Sequence, residues 1–279
     1  MSRPPKGDTP ERSARVTRST DHRGARAVLL FLGIGLAAGL LSGLFGVGGG
    51  TVIVPLLVLL CGFDQRRAAG TSLAAIVPTA SIGVISYAVS GNVAWVPALI
   101  LAAGAVVGAQ LGTRLLPRIS QTVLRWLFVA FLVLVIVSLF LVVPSREAAL
   151  DLTWPTGIAL LVLGVGTGVL SGLIGVGGGI VVVPFLMMVF GTSDLEAKGT
   201  SLLMMIPAAL SGTVGNLRTR NVELRPALLI GIAACTTTAL GAWTATLVDP
   251  VVGNALFAVY LVGIAVQMAL KAWRGRSAR

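Results

Sequence analysis

Residues 39–57 read GLLSGLFGVGGGTVIVPLL, and residues 168–186 read GVLSGLIGVGGGIVVVPFL. The second stretch repeats the first at an offset of 129 residues, and the register holds well beyond it. Gly70-Thr71-Ser72-Leu73 aligns with Gly199-Thr200-Ser201-Leu202. Pro55 aligns with Pro184, Pro78 with Pro207, Asn92 with Asn221, Pro97 with Pro226 and Gly112 with Gly241. The chain is a duplicated unit, and each copy sets a glycine cluster between two apolar runs. In membrane proteins, paired glycine-interrupted apolar segments at matching places of two halves point to a transport site.

Composition places the chain in a bilayer. Hydrophobic residues make up 56% of it and charged residues 11%, with a mean hydropathy of +0.95; a soluble domain carries about 25% charged residues. The net charge of +11 does not imply nucleic acid, because seven of the 21 Lys and Arg lie in residues 1–26 and four in the last nine. Such flanking charge is what membrane proteins keep in the cytoplasm. Residues 1–26 are rich in Arg, Ser, Thr and Pro and are expected to form a disordered basic cytoplasmic tail. The apolar run that follows is too long for the core of a cleaved signal peptide. Cys61 and Cys235 lack metal or disulfide spacing and read as small buried hydrophobes.

Apolar runs cover roughly 27–45, 50–61, 68–90, 95–114, 122–143, 156–174, 180–190, 199–216, 226–247 and 251–272. A bilayer core needs about 20 helical residues, so the runs 50–61 and 180–190 reach only about half-way. Either each continues the span before it, or the chain turns at the glycines and a half-helix returns. With the N-terminus inside, the continuous reading strands Arg66, Arg67, Arg114, Arg118, Arg125 and Lys198 outside. The turning reading strands only Arg146 and Lys198, and is preferred. It gives an all-α polytopic helical bundle of two inverted repeats, residues 27–145 and 156–274, with both termini in the cytoplasm.

Gly35, Gly39 and Gly43, and Gly164, Gly168 and Gly172, recur every four residues. They form a small-residue face for close helix packing. The G-V-G-G-G clusters differ. Consecutive glycines propagate a helix poorly, and the short helix that follows begins with N–H groups that have no partner within it. Bare glycine backbone at a helix N-terminus suits an anion. The candidate substrate-binding residues are therefore Gly46, Gly48, Gly49 and Gly50 with Thr71 and Ser72, and Gly175, Gly177, Gly178 and Gly179 with Thr200 and Ser201. A tight turn buried by neighbouring helices is the bland alternative for the glycines. Back-bonding to their own helix is the alternative for the hydroxyls. Gln110 and Asn216 read as helix contacts, and Asn92 and Asn221 as turn residues.

No Asp, Glu, His, Lys or Arg is expected deep in a span, apart from edge positions such as Arg114, Arg125 and Lys271; Asp64, Asp194 and Asp249 read as loop acids. A cation would find little to bind, whereas a neutral or anionic cargo fits. Membrane proteases are excluded, since the one His, His22, lies in the tail and no pair of buried Asp is expected. No enzyme chemistry, cofactor or metal is called for.

The doubled G-x-x-S-G-x-x-G-V-G-G-G, each followed by a proline and then G-T-S, resembles the sulfite exporter TauE/SafE family of membrane permeases over roughly residues 27–272. The resemblance implies an inner-membrane permease moving a small anion, such as sulfite, an organosulfonate or a carboxylate, usually outward. In this chain Ile180 stands where the first copy has Thr51, so one turn lacks a hydroxyl. A passive anion channel and a non-transporting membrane scaffold remain as alternatives.

Overall fold

A computed structural model describes residues 10–141 and 152–274. Ten helices follow in order: α1 Pro10–Phe45, α2 Gly50–Leu60, α3 Gln65–Val89, α4 Trp95–Leu115, α5 Gln121–Leu141, α6 Trp154–Ile174, α7 Gly179–Phe190, α8 Asp194–Arg218, α9 Leu224–Leu247 and α10 Pro250–Arg274. Each apolar run of the sequence becomes one helix. Among the described residues, seven helices are long and apolar enough to cross a membrane, α1 from Ala25 onward. Helices α2 and α7, at 11 and 12 residues, are too short.

Helix α1 begins at Pro10, within the stretch read as a tail and ahead of its apolar run, and α3 and α8 start early because their caps start them. Asp64 accepts the N–H groups of Arg66 and Arg67, so α3 begins at Gln65. Ser193 accepts the N–H of Glu196, so α8 begins at Asp194. A side chain that satisfies the orphan first-turn donors holds polar residues in the helix ahead of its apolar part.

The long helices pair across the two copies. α1 packs on α9, and α4 on α6. The glycine stripes are the reason. A β-carbon on Gly35, Gly39 or Gly43 would strike the carbonyl oxygen of Ile230, Ala234 or Thr238. One on Gly164, Gly168 or Gly172 would strike that of Leu101, Ala105 or Ala109. Each contact of the first set maps onto the second by the offset of 129 residues, applied forward to one partner and backward to the other. The joints are reciprocal in the other direction too, with Gly241 on Leu40 and Gly112 on Val169. Backbone-to-backbone approach of this kind is how helices gain contact in lipid, where apolar side chains have no water to escape. Between these pairs α3 packs on α8, where Leu202 covers Gly83 and Leu73 covers Gly212.

The outer surface is a belt of large apolar side chains, among them Val89, Leu228, Ile232, Trp243 and Val259. A patch of this extent is far beyond what a soluble monomer exposes. Polar groups lie inside: Ser42, Thr51, Thr71, Ser72, Thr79, Ser171, Thr200, Ser201 and Asn216 are all buried.

Candidate functional site

The glycine clusters form turns in the middle of the fold. Gly46, Gly48 and Gly49 have φ of 68°, 67° and 75°, and Gly175, Gly177 and Gly178 have φ of 80°, 87° and 90°. This left-handed conformation is strained for other residues. It reverses the chain. The β-position of Gly49 comes to 3.2 Å from the Ala38 Cβ, and that of Gly178 to 3.4 Å from the Thr167 Cβ. Eleven residues continuing a helix would carry the chain about 16 Å onward. The chain instead folds back, and α2 and α7 lie against the helices that precede them.

The two turns meet. A β-carbon on Gly50 would fall 2.6 Å from the Cα of Val176, and one on Gly179 would fall 2.7 Å from the carbonyl oxygen of Gly46. Helices α2 and α7 have left-handed Gly49 and Gly178 at their N-caps, and no side chain caps either. Two helix N-termini, each equivalent to about half a positive charge, therefore come together without a side chain between the turns themselves. All eight candidate glycines are buried.

Two apolar side chains cover this junction. The Met205 methyl lies over the β-positions of both Gly48 and Gly177, and its sulfur is 3.0 Å from that of Gly48 and 2.7 Å from that of Gly179. Ile76, its counterpart at the offset of 129, reaches the same glycines at 3.3 Å and 3.2 Å. Both are fully buried.

The candidate hydroxyls divide into three kinds. Thr71 accepts the backbone N–H of Glu223 at 3.1 Å, and Thr200 that of Ala94 at 2.9 Å, so each pins the start of a helix in the other copy. Ser201 donates toward the Gly46 carbonyl at 2.6 Å and the Lys198 carbonyl at 2.9 Å, joining α8 to the first turn. Ser72 has no hydrogen-bond partner among the described residues. Gln110 donates to Ser211 of α8, and Asn216 to its own helix at Gly212, as helix contacts. Asn92 and Asn221 close turns after α3 and α8.

The sequence reading missed Ser42 and Ser171. They stand at matching positions one helical turn before each glycine turn, are buried, and have hydroxyls without a partner among the described residues. Ser42 is four residues past Ala38, and Ser171 four past Thr167, so they lie on the helix faces over which the turns fold back. Their place in the doubled S-G-x-x-G-V-G-G-G was the available signal.

Asp194 and Lys198 require a correction. The sequence reads Asp194 as a loop acid, but the Ser193 cap brings it and Lys198 into the first turns of α8. There the Lys198 ammonium meets the Asp194 carboxylate at 3.1 Å, with side-chain exposures of 11% and 2%. The Lys198 stem covers Gly46, its Cγ 2.8 Å from that β-position. In the other copy the same places hold Gln65 and Ala69, and Ala69 lies on Gly175. One copy thus carries a buried ion pair beside its turn where the other carries neutral residues. Among the described residues, no three His, Cys, Asp or Glu gather into a possible metal cage.

Several curated proteins are similar to this chain. The probable membrane transporter protein YdhB of Bacillus subtilis (strain 168) is 28% identical over 63% of this chain and 74% of its own length. A probable membrane transporter protein of Haemophilus influenzae is 29% identical over 88% of this chain and 98% of its own. The probable membrane transporter protein YunE of B. subtilis is 41% identical, and the match spans 29% of this chain and 30% of YunE. No solved structure matches the chain. Two glycine turns back to back, in a bundle of reciprocal halves, thus accompany a match to the Sulfite exporter TauE/SafE family over residues 3–139 and 160–279, and the chain belongs to that family.

Proposed function

We propose that this membrane transporter carries a small anion, such as sulfite, an organosulfonate or a related carboxylate, outward across the plasma (inner) membrane. The observation that supports this most is the meeting of two uncapped helix N-termini at Gly46–Gly50 and Gly175–Gly179. The dipoles of these two N-termini favour negative charge between them. Ser42, Ser171 and Ser72 add buried hydroxyls able to donate to an anion's oxygens. The two copies are inverted, with both termini cytoplasmic, and exchange roles during alternating access. Two half-charges balance a singly charged anion better than a doubly charged one. Apparent affinity then follows the singly charged species as pH changes.

The test is efflux of radiolabelled sulfite and of sulfoacetate from proteoliposomes. Saturation and counterflow mark a carrier, and the Gly48→Val, Gly177→Val double variant is expected to insert but not to transport. Full transport by that variant would remove the glycine turns from the mechanism.

A further inference from the structure

The space an anion needs between the turns is filled in this structure. The Met205 methyl covers Gly48 and Gly177, the Met205 sulfur covers Gly179, and Ile76 reaches the same two glycines, Gly48 and Gly177, beside it. These two plugs are unequal. Ile is β-branched and in a helix keeps essentially one χ1 rotamer. Met is unbranched, with three rotatable bonds, and adapts its shape easily. Pro207 follows two residues after Met205 within α8. It frees the carbonyl of Leu203 just as Pro78, two residues after Ile76 in α3, frees that of Ala74, so both helices are loosened alike and the difference between the plugs lies in their side chains.

We propose that Met205 is the displaceable stopper of the anion site, and that the volume it vacates sets the size of anion the protein accepts. Ile76 is the fixed wall against which the cargo packs. This rests on the glycine-turn reading above. An anion seated against Gly48 and Gly177 takes the place of the Met205 methyl that covers their β-positions, so binding and side-chain displacement are one event. The junction offers room for a headgroup the size of the displaced thioether. A bulky substituent beyond it meets Ile76 and Met204, whose methyl is 3.5 Å from the β-position of Gly178.

The experiment measures thermal stabilisation of the purified full chain by sulfite, methanesulfonate and benzenesulfonate, since a ligand of the folded state raises stability by mass action. The wild type is expected to favour the two small anions. Met205→Ala removes the stopper and is expected to raise binding of benzenesulfonate relative to sulfite by about tenfold or more, the scale of hydrocarbon fit in a pocket. Met205→Ile installs the stiff residue of the other copy. It should weaken binding of all three and keep their order, which a merely structural loss in Met205→Ala would not distinguish. An unchanged order in Met205→Ala overturns the proposal, and so does the absence of stabilisation by any of the three anions in both proteins. Gly48→Val separates the two readings. If it binds like wild type, the glycine turns are not the site; if it binds nothing while Met205→Ala keeps the wild-type order, only the stopper fails.

Discussion

The Ser201 hydroxyl reaches the Gly46 carbonyl at 2.6 Å, across 155 residues of chain. It ties the middle of α8 to the first glycine turn, while its counterpart Ser72 makes no such bond among the described residues. Ser201→Ala leaves a buried carbonyl without its donor and is expected to cost about 1–3 kcal/mol. Ser72→Ala should cost much less. Melting of the two variants in detergent checks this, and equal losses would refute it.

The glycine stripes divide by what lies above them. Gly39→Ala and Gly168→Ala each drive a methyl into a carbonyl of the partner helix. Both should lower the yield of folded protein and cost about 1–3 kcal/mol, as over-packing does. Gly33 and Gly166 have nothing within 4 Å of their β-positions. Alanine there should be neutral or stabilising, by up to about 1 kcal/mol of helix propensity. Size-exclusion yield of the four variants separates the two classes.

Breaking the buried pair should be worse than removing it. Asp194→Asn removes the carboxylate charge that faces the Lys198 ammonium at 3.1 Å and is expected to cost about 3–5 kcal/mol. The double variant Asp194→Gln, Lys198→Ala copies Gln65 and Ala69 of the other half and should recover most of that loss. A double variant less stable than Asp194→Asn would show that the pair is held by more than its own charges.

Inversion of the copies has a direct assay. Ser90 and Thr219 are exposed equivalents at the ends of α3 and α8. In a background of Cys61→Ala and Cys235→Ala, Ser90→Cys and Thr219→Cys should react with an impermeant maleimide from opposite faces of oriented vesicles. Labelling of both from one face rejects the inverted arrangement. Arg67→Cys should label from the face opposite to Ser90→Cys.

Ten helices were legible from ten apolar runs, because a bilayer leaves the backbone few other ways to satisfy its hydrogen bonds. The start of α8 was not, since hydropathy begins at Gly199 while the cap Ser193 with Glu196 begins the helix at Asp194. That five-residue difference is what buries the ion pair. The four-residue glycine spacing announces close packing, yet nothing in it names the partner, so the pairing of α1 with α9 was invisible. Met205 was hidden for a different reason. It is an apolar residue within an apolar run, and its counterpart Ile76 differs, so duplication did not mark it.

The pairing of α1 with α9 also orders the events of synthesis. Helix α4 finds α6 within about 40 residues of chain growth, but the stripe on α1 must wait for Leu224–Leu247. At about 5–20 residues per second, that is a delay of roughly 10–35 s. The first helix to enter the bilayer thus waits through most of synthesis for its main partner. Until then its bare glycine backbone faces lipid or a neighbouring nascent chain. A chain that stops before residue 224 leaves the α1 stripe an open groove without the helix that fills it.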